Sequence, residues 1–184
     1  MLRTFVAVNL DIGIKEKISV IRNEVKIFFP DKSAKWEDSS KYHITLQFLG
    51  DTPQNLIADI SSELGNIELG SSQIHLVAGG IDAFPNMYRP RILFLSINDN
   101  GGLLQQIAGE VNRRLSVFGF LQDKKFHSHV TLARIKIPVK ISEAERIKNI
   151  RGNFSCDVKS FELMASTLKP TGSEYKLIKS FPLK

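Results

Sequence analysis

The chain has 184 residues, and its 25 basic and 19 acidic side chains give a formal net charge of +6. This length fits one large domain or two small lobes that share a cleft, and a hydrophobic fraction of 42% is that of an ordinary soluble globular protein. A single cysteine, Cys156, excludes an internal disulfide and a cysteine-based metal cage. We therefore expect a reducing, cytoplasmic environment, and the basic surplus suits a partner that carries phosphates.

Residues 1–10 are mostly apolar, but Asp11 interrupts them and no long hydrophobic run follows. This pattern predicts a first strand and neither a signal peptide nor a membrane span, so no membrane partner is expected. The remaining hydrophobic periodicity predicts helices over residues 13–28, 53–64, 103–118 and 142–150. The predicted strands cover residues 3–9, 34–36, 43–49, 71–84, 91–97, 129–137, 154–168 and 174–181.

Several residues are predicted to mark where these elements begin, bend or end. Asp11 and Thr52 are the predicted N-caps of the first two helices, with Pro53 at the first helical position of the second. The pair Gly79-Gly80 predicts a bulge or bend within its strand. Pro138 is predicted to stop the strand that begins at His129, and the segment 170–173 to form a turn.

The order strand, helix, strand, helix, hairpin in the first part of the chain is loosely echoed in the second part. We therefore predict an α+β fold with two pseudo-symmetric lobes, each an antiparallel sheet with helices outside. The lobes are expected to exchange strands, so residues 1–184 are predicted to form a single domain of two intertwined lobes. A monomer is the expected state.

A short pattern that occurs twice is the strongest signal in the chain. It reads HITL at residues 43–46 and HVTL at residues 129–132. Side chains alternate faces along a strand, so each histidine shares a face with the threonine two positions later. The opposite face of the first copy is predicted to point into the core with Ile44, Leu46 and Phe48. Two His-x-Thr faces are expected to meet across the cleft between the lobes.

Two imidazoles that flank one small group are suited to acid–base chemistry, because imidazole titrates near neutral pH. One histidine then activates a nucleophile and the other protonates a leaving oxygen in an in-line displacement at phosphorus. The hydroxyls of Thr45 and Thr131 would hold the non-bridging oxygens as charge builds up. Neither a metal nor a covalent intermediate is required. The alternative interpretation, two core histidines satisfied by neighbouring threonines, is disfavoured by the matching sequence context of the two copies.

The twin motif resembles the H-x-T-x signature of the two-histidine (2H) phosphoesterase superfamily, and in particular the RNA 2′,3′-cyclic phosphodiesterases historically called 2′-5′ RNA ligases. The resemblance extends over nearly the whole chain. Its other segments are Phe5-Val6-Ala7-Val8, the Leu-Gly after the first motif, Phe84-Pro85 followed by Arg91-Ile92-Leu93, Phe126-His127-Ser128-His129, Leu132-Ala133-Arg134, and Ser166-x-Leu168 with Gly172 and Tyr175.

The resemblance implies hydrolysis of a 2′,3′-cyclic phosphate to a 2′-phosphomonoester, without a cofactor. By analogy His43 is the proton donor to the leaving oxygen and His129 the proton acceptor from water, while Thr45 and Thr131 bind the phosphate. Residue types alone do not tell which histidine is the acid. The implied partners are RNA with a cyclic phosphate end, tRNA fragments among them, or cyclic nucleotides. The reverse reaction would join RNA ends through a 2′-5′ linkage.

Two further residues near the second motif are weaker candidates for the functional site. Arg134 stands where the family commonly has an arginine near the substrate, but ideal alternation places it on the face opposite His129. It reaches the cleft only if the strand ends or twists, and otherwise it is a surface arginine. His127 shares a face with His129 and is either a cleft residue or a structural histidine.

Two rival functions remain open at this point. The first is a metal-dependent phosphohydrolase in which His127, His129 and His43 hold zinc. Neither motif contains an acidic residue to serve as the accompanying base, and that interpretation leaves both threonines unexplained. The second rival is a non-catalytic RNA-binding module that uses the basic surplus and the cleft. Paired imidazoles argue against it, because binding alone does not need them.

Overall fold

The computed structural model describes residues 1–121, 125–136, 143–170 and 172–184. Its helices are α1 (Ile12–Lys26), α2 (Ile57–Gly65), α3 (Leu103–Leu115) and α4 (Ala144–Lys148). Its strands are β1 (Leu2–Asn9), β2 (Ala34–Trp36), β3 (His43–Thr52), β4 (Ile74–Phe84), β5 (Ile92–Asp99), β6 (His129–Ile135), β7 (Ser155–Val158), β8 (Ser160–Lys169) and β9 (Gly172–Pro182). Single 3₁₀ turns lie at Ser39–Lys41, Gln54–Leu56 and Ser116–Phe118.

The described strands form one antiparallel sheet whose order is β7-β4-β5-β6-β3-β1-β8-β9, with β2 paired to β6 outside this path. The two motif strands, β3 and β6, are neighbours at its centre, and three further strands extend the sheet on each side. The predicted α+β class with two lobes is confirmed. One lobe contains β3, β1, β8 and β9, and the other contains β6, β5, β4, β7 and β2.

The lobes share one hydrophobic core and exchange strands along the sequence. The main buried cluster draws side chains from both lobes and from all four helices, including Ile18, Ile60, Leu104 and Ile147. The strand predicted over 154–168 is in fact two strands separated at Lys159, because β7 pairs with β4 while β8 pairs with β1. The chain crosses from one lobe to the other at this break.

The predicted start of the first helix is confirmed and that of the second is wrong. Asp11 caps α1, since its Oδ1 accepts a hydrogen bond of 2.8 Å from the Ile14 N–H. Thr52 is not an N-cap, because it still pairs with Leu2 in the ladder between β1 and β3. Its buried hydroxyl lies 2.7 Å from that of Thr4, so it bonds across the strands instead.

The remaining predictions concern a bulge, a strand end and a turn, and the absence of a membrane span. The bulge at Gly79-Gly80 is confirmed by a register shift between Ala78 and Ile81 in the pairing of β4 with β5. Pro138, the first residue of the helix predicted over 142–150 and part of the predicted turn at 170–173 lie outside the described residues. Within the described ranges, no helix is both long enough and apolar enough to cross a membrane.

The centre of the sheet generates a stability prediction. Ile44 is fully buried between the lobes, so Ile44→Ala is expected to lower the free energy of unfolding by about 2–5 kcal/mol through lost burial and a residual cavity. Urea unfolding followed by circular dichroism measures this change. The matched control is Ile27→Ala, whose side chain is 79% exposed and whose effect is expected to stay within about 0.5 kcal/mol. Equal losses for both variants would contradict the prediction.

Candidate active site

The two motifs are set side by side by one antiparallel pair, Ile44 opposite Val130. Extending that register by one residue in each direction brings His43 opposite Thr131 and Thr45 opposite His129. Ile44 and Val130 point into the core and are fully buried, which leaves the four polar side chains on the cleft face. A pseudo-two-fold axis therefore passes between the two motifs.

These side chains line one pocket at the cleft, and all five predicted site residues belong to it. The lining residues are Glu37, Lys41, His43, Thr45, Phe48, His129, Thr131, Arg134 and Tyr175. The structure thus brings the paired His-x-Thr faces and Arg134 together. Sequence reasoning missed Glu37, Lys41 and Tyr175, which come from outside the motifs.

Both imidazoles are held in the same way by the backbone. The Nδ1 atom of His43 lies 2.7 Å from the carbonyl oxygen of Lys41, and the Nδ1 atom of His129 lies 2.6 Å from that of His127. Because a carbonyl only accepts hydrogen bonds, each Nδ1 carries a proton and donates it. Each neutral ring therefore carries its lone pair on Nε2. The Nε2 of His43 lies 3.1 Å from the Thr45 hydroxyl, which donates to it in that state.

Aromatic rings flank each of the two imidazoles and form a wall around it. The ring centroids of Phe5 and Tyr175 lie 5.0 and 5.3 Å from that of His43. Those of Phe84 and Phe94 lie 5.3 and 5.0 Å from that of His129. The walls position the rings and remove water from around them, which disfavours the charged imidazolium.

Both imidazoles are consequently neutral at pH 7 in the free protein. Burial lowers the pKa of His43 to about 4; the Lys41 carbonyl opposes this shift, while the positive charge of Lys15 adds to it. Burial also lowers the pKa of His129, against the opposing hydrogen bond to the His127 carbonyl. An anion bound between the two rings would favour the imidazolium and raise both pKa values again.

A β-bulge at the fourth position of each motif decides which later side chains face the pocket. Between β3 and β1 the register passes from Thr45 to Gln47, so Leu46 is the extra residue. Between β6 and β5 it passes from Thr131 to Ala133, so Leu132 is the extra residue. Each bulge reverses the alternation of faces beyond it.

This reversal corrects the expectation for Phe48 and explains the position of Arg134. Phe48 is 70% exposed and lines the pocket, so its assignment to the core is wrong. Arg134 reaches the cleft face, although ideal alternation places it on the opposite one. The two residues occupy equivalent places, five positions after their histidines. The pocket therefore carries an aromatic ring in one lobe and a cation in the other.

Arg134 is accompanied by a carboxylate. Its Nε lies 3.5 Å from Oε1 of Glu37, which is largely buried while the arginine side chain is about half exposed. Glu37 is brought here because β2 pairs with β6 and the Glu37 N–H donates to the Leu132 carbonyl. The short extended segment before Glu37 was predicted from the sequence, but its partner strand was not. With Lys41, these groups give the pocket a net positive charge, which favours an anion.

His127 does not line the histidine pocket. Its carbonyl orients His129, and its ring centroid lies 5.9 Å from that of His129. Among the described residues, no group of three or more His, Cys, Asp or Glu side chains is placed to hold a metal ion. The zinc site considered for His127, His129 and His43 is therefore not assembled by this fold.

Comparison with known proteins identifies the family. The model of the LigT-like phosphoesterases matches the chain twice, over residues 8–94 and 95–175. Each match contains one copy of the His-x-Thr motif, as the pseudo-two-fold arrangement requires. The chain belongs to the LigT-like phosphoesterase family, and the expected resemblance is confirmed.

Individual relatives agree with this assignment. An RNA 2′,3′-cyclic phosphodiesterase of Archaeoglobus fulgidus is 31% identical over 181 residues, which are 98% of this chain and 99% of that protein. An RNA 2′,3′-cyclic phosphodiesterase of Aeropyrum pernix is 34% identical over 149 residues, which are 78% of this chain and 83% of that protein. A crystal structure of a Thermus thermophilus protein superimposes with a TM-score of 0.83 at 26% identity, covering 99% of this chain and 98% of that one.

The walls around the imidazoles generate a prediction for the free protein. In a histidine-selective NMR titration, His43 is expected to titrate with a midpoint near pH 4 and to remain in the Nδ1–H tautomer above it. Phe5→Ala opens one wall to water and is expected to move that midpoint upward, toward the ordinary histidine value. Phe84→Ala is the control, because Phe84 lies against His129 instead. A His43 midpoint near 6.5 in the unaltered protein would contradict this account.

Proposed function

We propose that this protein hydrolyses 2′,3′-cyclic phosphate ends of RNA, or of nucleotides, to 2′-phosphomonoesters. The observation that carries the proposal is the pair of imidazoles on one cleft face, each fixed by the same Nδ1 hydrogen bond, so that Nε2 is the nitrogen left for proton transfer in both. The names of the relatives support the substrate class. RNA ends, those of tRNA fragments included, and cyclic nucleotides share the cyclic phosphate that the pocket would hold.

The reaction begins with the cyclic phosphate monoanion bound between the lobes. Its charge favours the imidazolium form of His43, whose ligand-free pKa lies near 4. His129 remains neutral, and its Nε2 takes a proton from water as the water oxygen attacks phosphorus. The bond between phosphorus and the 3′ oxygen breaks, and His43 gives its Nε2 proton to that oxygen.

Charge on the phosphoryl oxygens grows during the displacement. The hydroxyls of Thr45 and Thr131 donate to these oxygens, and Arg134 and Lys41 supply positive charge at the rim. The proton of His43 ends on the 3′ hydroxyl of the product, and the proton that water releases ends on His129, so the pair still carries one proton but on the other histidine. Exchange with solvent resets the pair, so the cycle needs no cofactor.

Microscopic reversibility allows the same site to join a 5′-hydroxyl to a cyclic phosphate end through a 2′-5′ linkage. Water at high concentration makes hydrolysis the dominant direction. One chain supplies both histidines, which supports a monomer as the working unit. The cytoplasm remains the proposed compartment.

The primary test is turnover of an oligoribonucleotide with a 2′,3′-cyclic phosphate end in the presence of EDTA. The unaltered protein is expected to form the 2′-phosphate, while His43→Ala and His129→Ala each lose at least about a hundredfold in kcat because a proton-transfer group is gone. His75→Ala is the control, since His75 pairs with Asp157 on β4 and β7 and does not line the pocket.

Other outcomes of this experiment point to the rival functions. Activity that disappears with EDTA would favour a metal-dependent phosphohydrolase. Binding of the RNA without turnover, retained in both histidine variants, would favour a non-catalytic RNA-binding module. Formation of a 3′-phosphate would retain the paired histidines but reverse the assignment of the leaving oxygen.

The lowered histidine pKa values generate a pH prediction. The reactive form has one proton on the pair, on His43, and in the free protein this form is most populated below the ordinary histidine pKa. The ratio kcat/KM is therefore expected to have its maximum below pH 6.5 and to fall by up to about tenfold per pH unit above it. A ratio that is flat or rises between pH 6.5 and 8 would contradict the assignment. For kcat the falling limb is expected at higher pH, because bound phosphate stabilises the imidazolium.

A further inference from the structure

Two lysine side chains converge beside the histidine pocket, next to the glycine at which β9 begins. A Cβ atom placed on Gly172 would lie 3.1 Å from the Lys35 Nζ and 3.4 Å from the Lys41 Nζ. The two ammonium nitrogens are therefore at most 6.5 Å apart, the sum of these two distances. Because any larger residue at position 172 would crowd both groups, glycine leaves the room in which this lysine pair lies.

Each member of the lysine pair is brought here by a different part of the fold. Lys35 lies opposite Arg134 in the pairing of β2 with β6, and directly opposed residues share one face of a sheet. Since Arg134 lines the histidine pocket, Lys35 points to the cleft as well. Lys41 lines that pocket itself, and its carbonyl oxygen holds the Nδ1 of His43. The lysine pair thus lies on the His43 side of the cleft, with Lys35 just outside the histidine pocket.

Neither ammonium group of the lysine pair forms an ion pair or a hydrogen bond with the part of the chain that the structure describes. The carboxylates close to the pair in the fold are bound to other groups: Glu37 to Arg134, Glu174 to Lys169, and Asp38 to Ser40. Hydrogen bonds from Ser40 lower the pKa of Asp38, and Lys41 contributes less to this shift, without an ion pair. Two like charges held this close repel each other, so the lysine pair indicates a position for an anion.

The place of the lysine pair in the cleft indicates which anion it binds. In the proposed in-line reaction the 3′ oxygen leaves toward His43, so the ribose lies on the His43 side of the bound phosphate. The next phosphate along an RNA chain is attached to the 5′ oxygen of that same ribose, one sugar away. Lys41 connects the two positions, because it lines the histidine pocket while its ammonium group lies near that of Lys35.

We propose that Lys35 and Lys41 bind the 5′ phosphate of the nucleotide that carries the cyclic phosphate, which in RNA is the last phosphodiester of the chain. Each ammonium group donates hydrogen bonds to the oxygens of that phosphate. The assignment rests on the proposed function for the identity of the phosphate-bearing end. It makes Lys35 a specificity-determining residue, because a nucleoside cyclic phosphate without a 5′ phosphate has nothing to place there.

Calorimetric binding of three reaction products tests the assignment. Adenosine 2′-monophosphate has no 5′ phosphate, adenosine 2′,5′-bisphosphate has a terminal one, and the dinucleotide ApA with a 2′-phosphate end has a phosphodiester at that place. Lys35→Gln is expected to weaken binding of the second and third ligands by about three- to tenfold through one lost charged contact. Binding of adenosine 2′-monophosphate is expected to stay the same, because Lys35 does not line the histidine pocket.

Two variants serve as controls. Lys17→Gln removes the same charge from an exposed position on α1 that does not line the histidine pocket, and it is expected to change none of the three affinities. Lys35→Arg keeps the charge and is expected to retain most of the preference for a 5′ phosphate. Added salt is expected to reduce that preference in the unaltered protein and to have a smaller effect in Lys35→Gln.

Each result decides for or against the phosphate site. Equal weakening of all three ligands, or of none, would overturn the assignment, as would an equal loss in Lys17→Gln. Weakening of the bisphosphate alone would overturn the RNA phosphodiester as the group that the lysine pair binds. Turnover of an oligoribonucleotide with a cyclic phosphate end is measured separately on the unaltered protein. A loss of binding that depends on the 5′ phosphate, without any turnover, would retain the lysine site and reject the proposed function, whereas turnover without that loss would do the opposite.

Discussion

The site depends on a single antiparallel contact, the pair Ile44–Val130 at the centre of the sheet. Both side chains are excluded from water, so burial fixes which face of each strand points inward. A shift of one residue in either strand would turn its histidine and threonine toward the core. Among the described residues, only this one pair is formed between β3 and β6, while each strand continues its pairing within its own lobe. The lobes therefore separate on the open side of the contact, and the cleft lies there.

The residues of the twin motif could be predicted from the sequence because alternation along a strand is a local rule. The same rule failed at Phe48 and gave the wrong face for Arg134, since the bulges at Leu46 and Leu132 depend on the neighbouring strands. Glu37 and Tyr175 were missed for a related reason. Their places are set by the long-range pairings of β2 with β6 and of β8 with β1, since β9 follows β8 through a hairpin. Local patterns predict hairpin neighbours, but they do not tell which strands far apart in the sequence pair.

The environment of the imidazoles favours their neutral form, whereas the proposed general-acid step needs a charged imidazolium. Aromatic walls hold the rings and exclude water, and this makes the imidazolium costly. General-acid catalysis needs that same charged form. A bound phosphate resolves the conflict, because it supplies the counter-charge that the free pocket lacks. In the proposed mechanism the substrate therefore generates the charged acid, whereas burial keeps both histidines neutral in the empty site. Since His43 and His129 share the backbone constraint on Nδ1, their different proposed roles depend on what surrounds Nε2.

The matching bulges have a consequence for how a polymer can lie in the cleft. Two halves related by a two-fold axis would accept a strand equally well in either orientation. RNA has chemically distinct 5′ and 3′ directions, and productive binding requires only one of them. The bulges place different side chains at equivalent points, an exposed phenyl ring in one lobe and a guanidinium in the other. The two halves of the cleft therefore differ chemically at these positions. This difference allows a site built from a repeated motif to distinguish the two ends of its ligand.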